Sequence, residues 1–129
     1  MESKTSTFYK YSAATQGFVL WSAWAFYINS KVSFSAGVTS GLTQGLFSFV
    51  STLIVISLLT RLFNYFQRPF FKLLLPPLMM TLVLMTVLVI IHNAVGTPKI
   101  VQTIAPSVVV AALFCVFTTH KLNAGVKRI

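Results

Sequence analysis

A chain of 129 residues carries ten Lys and Arg against a single acidic residue; it is 56% apolar and only 9% charged. A water-soluble domain devotes roughly 25% of its residues to charge, so this chain lacks the polar surface to face water and reads as one membrane-embedded domain. The net charge of +9 raises nucleic acid as a partner, but the bases flank apolar stretches, where anionic lipid headgroups are the simpler counterion, and no nucleic acid is expected.

The first apolar segment covers about 12–29 and is the weakest. Its body is Phe18-Val19-Leu20-Trp21 followed by Trp24-Ala25-Phe26-Tyr27-Ile28. Ala23-Trp24-Ala25 has the small-x-small form of a leader-cleavage site, but Thr15, Gln16 and Gly17 interrupt the apolar core and Trp24 is bulky, so a span is favoured over a cleaved leader. Tyr9 and Tyr11 at one end, and Trp21, Trp24 and Tyr27 at the other, suit the two membrane interfaces.

Ser30 to Ser35 makes a short turn into a second span at about 36–60. Arg61, Arg68 and Lys72 then alternate with aromatic residues in a connector suited to anionic headgroups, where rings embed and cationic heads reach phosphate. A third span covers about 73–91, with Pro76-Pro77 expected in its first turns, where missing N–H groups cost little. Gly96-Thr97-Pro98 turns the chain into a fourth span at about 100–119, in which Pro106 is expected to kink the helix.

Each segment is near the ~20 residues a helix needs to cross ~30 Å of hydrocarbon, and lipid leaves the backbone no partner but itself. The expected fold is therefore all-α, a bundle of four transmembrane helices in one domain. With both termini cytoplasmic, Lys4, Lys10, Arg61, Arg68, Lys72, Lys121, Lys127 and Arg128 fall inside and only Lys31 and Lys99 outside, eight against two. That bias sets the expected orientation. Dropping the first span would destroy it.

Gly37, Gly41 and Gly45 repeat a small-xxx-small pattern on one face of the second helix. Such a face admits a neighbouring backbone closely, either within the chain or in a homo-oligomer. Ala13 and Gly17 on the first helix offer a matching surface, and packing within the chain is favoured because the short turn already joins the two helices. Gln16, Thr43, Gln44, Ser48 and Gln102 are candidates for the polar lining of a cavity; an amide in hydrocarbon seeks a partner, so Gln44 is expected to face protein.

His92 and His120 fall at opposite membrane faces and cannot share a metal. His92 beside Asn93 offers a sensor of outer pH, and an interfacial histidine without a role is the plainer expectation. Cys115, the only cysteine, excludes an intramolecular disulfide and reads as a small apolar filler. No Asp or Glu lies in any span, so carboxylate proton relays and acid–base pairs are absent; no catalytic group, cofactor or metal is expected.

Phe26-x-x-Asn29-x-x-x-x-Phe34 resembles the motif that closes helical hairpins in the GtrA family, four-span proteins implicated in moving polyprenyl-linked sugars. The likeness covers about nine residues and falls after the first span rather than the second. Ser30 and Val32 stand where that motif carries Arg and aromatic residues, and no assignment follows from it. The stretch from Gly45 to Thr52 is similar in composition to a helix of small four-span fluoride channels, without their Asn and Phe arrangement.

The leading expectation is a non-enzymatic inner-membrane protein. It would assist transport or handling of an anionic or lipid-linked substrate, or serve as a membrane subunit of a larger complex. The alternatives are a small oligomeric pore and a purely structural or regulatory interaction protein.

Overall fold

The computed structural model describes residues 7–127. These residues are helical apart from three short connections, with α1 at Thr7–Asn29, α2 at Phe34–Tyr65, α3 at Pro69–Ala94 and α4 at Ile100–Lys127. Glu2, Lys4 and Arg128 lie outside the described residues, as does the side chain of Lys127. Among the described residues, three helices are long and apolar enough to cross a membrane: α2, α3 and α4. This is the composition of a membrane protein. α1 has 23 residues and is less apolar, and it does not meet that standard.

α2 and α3 are longer than the sequence pattern suggests, because both extend into the basic-aromatic connector. Only residues 66–68 remain between them. The break is placed by Pro69. A residue before proline is pushed out of the helical region, and Arg68 is extended at φ −77, ψ 131, while Pro69 opens α3 where no N–H is needed. Pro76 and Pro77 consequently lie inside α3 rather than in its first turns, and both are buried. α2 begins with Ser33 as its N-cap, whose hydroxyl accepts from the Ala36 N–H at 3.1 Å. α4 continues beyond the expected 119 to Lys127.

The helices run alternately up and down. α1 and α2 form the closest pair, α2 also touches α3 and α4, and α1 touches α4. Among the described residues α1 and α3 do not meet. The α1–α2 seam is made by small residues. A Cβ on Gly41 would stand 3.0 Å from the Ser22 carbonyl oxygen, one on Gly37 would stand 2.8 Å from the Ser30 Cβ, and one on Gly45 would collide with the Ser22 hydroxyl. Gly17 faces Ser48 in the same way, with 2.6 Å to its Oγ. At Gly37 and Gly41 the neighbouring backbone leaves no room for a side chain, whereas at Gly17 the near atom is the rotatable Ser48 hydroxyl. Deeper in, Val55 and Leu59 of α2 pack with Met80 of α3 and Cys115 of α4.

Candidate functional site

Two features meet inside the bundle: a buried polar layer toward the end that carries the α3–α4 turn, and a cavity beside it. The layer is organised by His92 of α3, which is fully buried. Its Nε2 lies 2.6 Å from Gln44 Oε1 of α2, and its Nδ1 lies 2.7 Å from Thr97 Oγ1 in the α3–α4 turn. Gln44 Nε2 donates to Ser107 Oγ of α4 at 3.1 Å, and Ser107 donates to the Ile104 carbonyl at 2.8 Å. Ser40 of α2 donates to Thr97 at 3.3 Å.

The donors fix one direction. Because the Gln44 nitrogen serves Ser107, its oxygen faces His92, and Nε2 must carry the ring hydrogen. Nδ1 then accepts from Thr97, which accepts from Ser40. A neutral imidazole completes the chain with each of these donors and acceptors matched. His92 keeps its expected place at the end of α3, but it is buried and bonded within the bundle rather than idle at the surface. His92 is inside the protein because Gln44 and Thr97 supply both partners a ring needs when water is absent.

A second polar contact ties α1 to α4 at the same end. Asn29 Nδ2 donates to Thr103 Oγ1 at 2.7 Å, and Asn29 Oδ1 accepts from the Lys99 N–H at 3.1 Å. Trp24 Nε1 donates to the Gln102 carbonyl at 3.0 Å. That carbonyl is available because Pro106, four residues on, has no N–H to give it. Proline in α4 thus opens the acceptor that anchors α1.

At the opposite end Tyr9 is the link. Its ring stacks on Phe114 with centroids 6.3 Å apart, its hydroxyl lies 3.5 Å from Thr118 Oγ1, and Lys121 Nζ stands 3.7 Å from the ring centroid. Between these two anchors lies a cavity of about 450 Å³, lined by all four helices. Gln16 and Leu20 of α1 and Val110 of α4 line it and are also exposed on the outside of the bundle, so the cavity opens sideways between α1 and α4.

The walls are more apolar than their residue names suggest. Thr52 and Ser51 give their hydroxyl hydrogens to the Ser48 carbonyl at 2.6 and 3.3 Å, and Thr81 gives its own to the Pro77 carbonyl at 2.7 Å. Gln16 donates to Ser12 Oγ at 3.1 Å. With these donors engaged, the space is bounded chiefly by Leu20, Trp21, Phe47, Val55, Leu84 and Phe114. Gln44 and Ser107 close its far end, held by the His92 layer.

Of the five polar-lining candidates, Gln16, Gln44 and Ser48 border the cavity. Thr43 does not, and its hydroxyl returns to the Thr39 carbonyl at 2.7 Å. Gln102 also stays out; its side chain is exposed and only its carbonyl is used. Gly37, Gly41 and Gly45 lie against Ser22, Phe26 and Ser30, not against Ala13 and Gly17. Arg61 and Arg68 are exposed beside the α2–α3 turn, and Lys72 Nζ sits 4.7 Å from the Phe63 ring centroid.

Sequence reasoning missed Asn29, Thr97, Thr103 and Ser107. Each is a small polar residue beside a turn or within an apolar run, and only the assembled bundle pairs them. Among the described residues no three His, Cys, Asp or Glu side chains gather. The chain matches no protein family, no curated protein and no solved structure with which it was compared.

Proposed function

We propose that this is a four-span membrane protein, with both termini cytoplasmic, that holds an amphiphile drawn sideways from the bilayer. It works by binding and handling a lipid-like molecule rather than by catalysis, and a bacterial inner membrane is its proposed location. The observation that carries this reading is the cavity of about 450 Å³ that opens between α1 and α4. That volume lies within the ~300–1,000 Å³ range of ligand pockets, and its apolar walls with few polar groups have the usual make-up of one.

The orientation rests on the eight-against-two distribution of Lys and Arg. The fourth crossing rests on α1, whose 23 residues extend ~35 Å at a rise of ~1.5 Å per residue. Its exposed Val19 and Leu20 are best placed in hydrocarbon. A pore assembled on Gly37, Gly41 and Gly45 is disfavoured, because α1 already occupies that face.

Ala111 is a half-buried cavity residue, and Ala111→Trp obstructs the space. Protein purified in mild detergent is expected to retain a stoichiometric amphiphile by native mass spectrometry, and Ala111→Trp to lose it. A folded wild type that never carries or takes up an amphiphile refutes the proposal.

A further inference from the structure

The shape and charge of the cavity narrow the identity of its occupant, given the amphiphile-binding role on which this assignment rests. We infer that the ligand is a single-chain amphiphile with an anionic head, a carboxylate or a phosphate. The head lies beside Lys121 and Tyr9, and the chain runs toward Trp21 and Gln44.

Volume sets the number of chains. A space of about 450 Å³ lies in the lower half of the ~300–1,000 Å³ range of ligand pockets, the scale of one hydrocarbon chain. Length agrees. The α1 lining runs from Phe8 to Trp21, ~20 Å along the axis at ~1.5 Å per residue, the scale of one extended acyl chain. The sideways opening at Gln16, Leu20 and Val110 admits a chain without taking it through water.

Charge sets the head. Ten Lys and Arg face one acidic residue in the whole chain, so at least nine cations need an anion from outside their own side chains. None of the described side chains carries a carboxylate. Lys121 rests instead on the face of the Tyr9 ring, and Tyr9 is a wall of the cavity. Lys10, one residue along α1, reaches Ser57 Oγ at 3.4 Å and adds a second positive charge at that end of the bundle. At the other end the outlet is closed by Gln44 held to Ser107, and α1 is held to α4 by Asn29 and Trp24. The cationic end takes the head, and the end bounded by Gln44 and Trp21 takes the tail.

Trp21 lines that end and reports on what reaches it. The test uses protein carrying Trp24→Phe, so that Trp21 is the remaining tryptophan of two, in bilayer discs of neutral phosphatidylcholine. Fatty acids and lysophosphatidylglycerols are added with bromine either at the chain end or near the head; a chain-end brominated monoacylglycerol is the neutral counterpart. Saturable quenching by chain-end bromine and little by head-proximal bromine is the expected result. Both anionic ligands should bind about fivefold tighter than the neutral one, the effect of roughly one lysine at an anionic surface, and Lys121→Gln should abolish that preference.

Stronger quenching by head-proximal bromine overturns the orientation. Equal binding of anionic and neutral ligands overturns the head assignment, and equal quenching by two-chain phosphatidylglycerol overturns the single chain. Each of these leaves amphiphile binding intact. Absence of saturable quenching by every ligand removes the proposed function as well. If Trp24→Phe does not fold, the protein with both tryptophans gives the same readout as its difference from Trp21→Phe.

Discussion

Replacing His92 by Phe keeps a flat ring of similar size but deletes both ring nitrogens. Gln44 Oε1 then loses a donor at 2.6 Å, and the Thr97 hydroxyl loses an acceptor at 2.7 Å. Both side chains are buried. An orphaned buried group costs about 1–3 kcal/mol in a protein interior, so two set a ceiling of about 6 kcal/mol. Measured hydrogen bonds between membrane helices average only about 0.6 kcal/mol, because the unfolded chain in the bilayer finds substitutes. Two of them set a floor of about 1 kcal/mol. Full burial argues for the middle of this interval, and His92→Phe should destabilise the bundle by about 3–4 kcal/mol. Reversible unfolding in mixed detergent and dodecyl sulfate measures this.

Adding Gln44→Leu removes one orphan together with its former partner. Gln44→Leu also gives up the bond to Ser107, so the double variant should lose about 1 kcal/mol less than the sum of the two single variants, because the His92–Gln44 pair is then removed once rather than twice. The double-mutant cycle isolates the pair. A His92→Phe variant as stable as wild type, or a double variant that loses the sum of the two single losses, would refute the assignment of His92 as the centre of the polar layer.

The close α1–α2 seam gives a second test. A Cβ on Gly45 collides with the Ser22 hydroxyl, so Gly45→Ala should cost about 1–3 kcal/mol by overpacking. Ser22→Gly should restore most of that loss, and an additive pair would contradict the contact. Ser22 Oγ is itself buried without a partner, so Ser22→Ala should be neutral or stabilising by up to about 1 kcal/mol, as measured in the same unfolding assay. Asn29→Ala removes the acceptor of the Lys99 N–H; hydrogen exchange at Lys99 should quicken by about tenfold, the equivalent of ~1.4 kcal/mol, while exchange at the Tyr9 end of α1 stays unchanged.

The elements most legible in the sequence were those fixed by solvent. Uncharged runs of bilayer length mark α2, α3 and α4, because hydrocarbon excludes charge and forces backbone self-pairing. Gly37, Gly41 and Gly45 also marked a close helix approach before any partner was visible. Their facing residues were not legible, since helix rotation decides whether Gly45 meets Ser22 or Ala13. The end of α2 is hidden from the sequence pattern for another reason. Arg61 reads as a boundary to hydropathy, yet helix geometry tolerates it and only Pro69 stops the backbone.

The polar layer was the least legible part. His92 and Gln44 are 48 residues apart, and Asn29 and Thr103 are 74 apart. In sequence each is an isolated polar residue in or beside an apolar run, and their pairing depends on helix depth and rotation together. The cavity was legible only as a set of residue types. Gln16, Gln44 and Ser48 were identified from polarity, whereas Thr43, adjacent to Gln44 in sequence, faces another direction by helical rotation of ~100° per residue.

The claim on which the account stands is that α1 crosses the bilayer with the other helices and so forms one wall of a cavity within the hydrocarbon. Single cysteines at Thr7, Ser33, Gln67 and Val95, in a Cys115→Ala background, decide it when intact cells meet a membrane-impermeant maleimide. Ser33→Cys and Val95→Cys should label from outside, and Thr7→Cys and Gln67→Cys only after the membrane is permeabilised. Labelling of Thr7→Cys together with Ser33→Cys in intact cells would leave α1 on one side of the membrane and contradict the account.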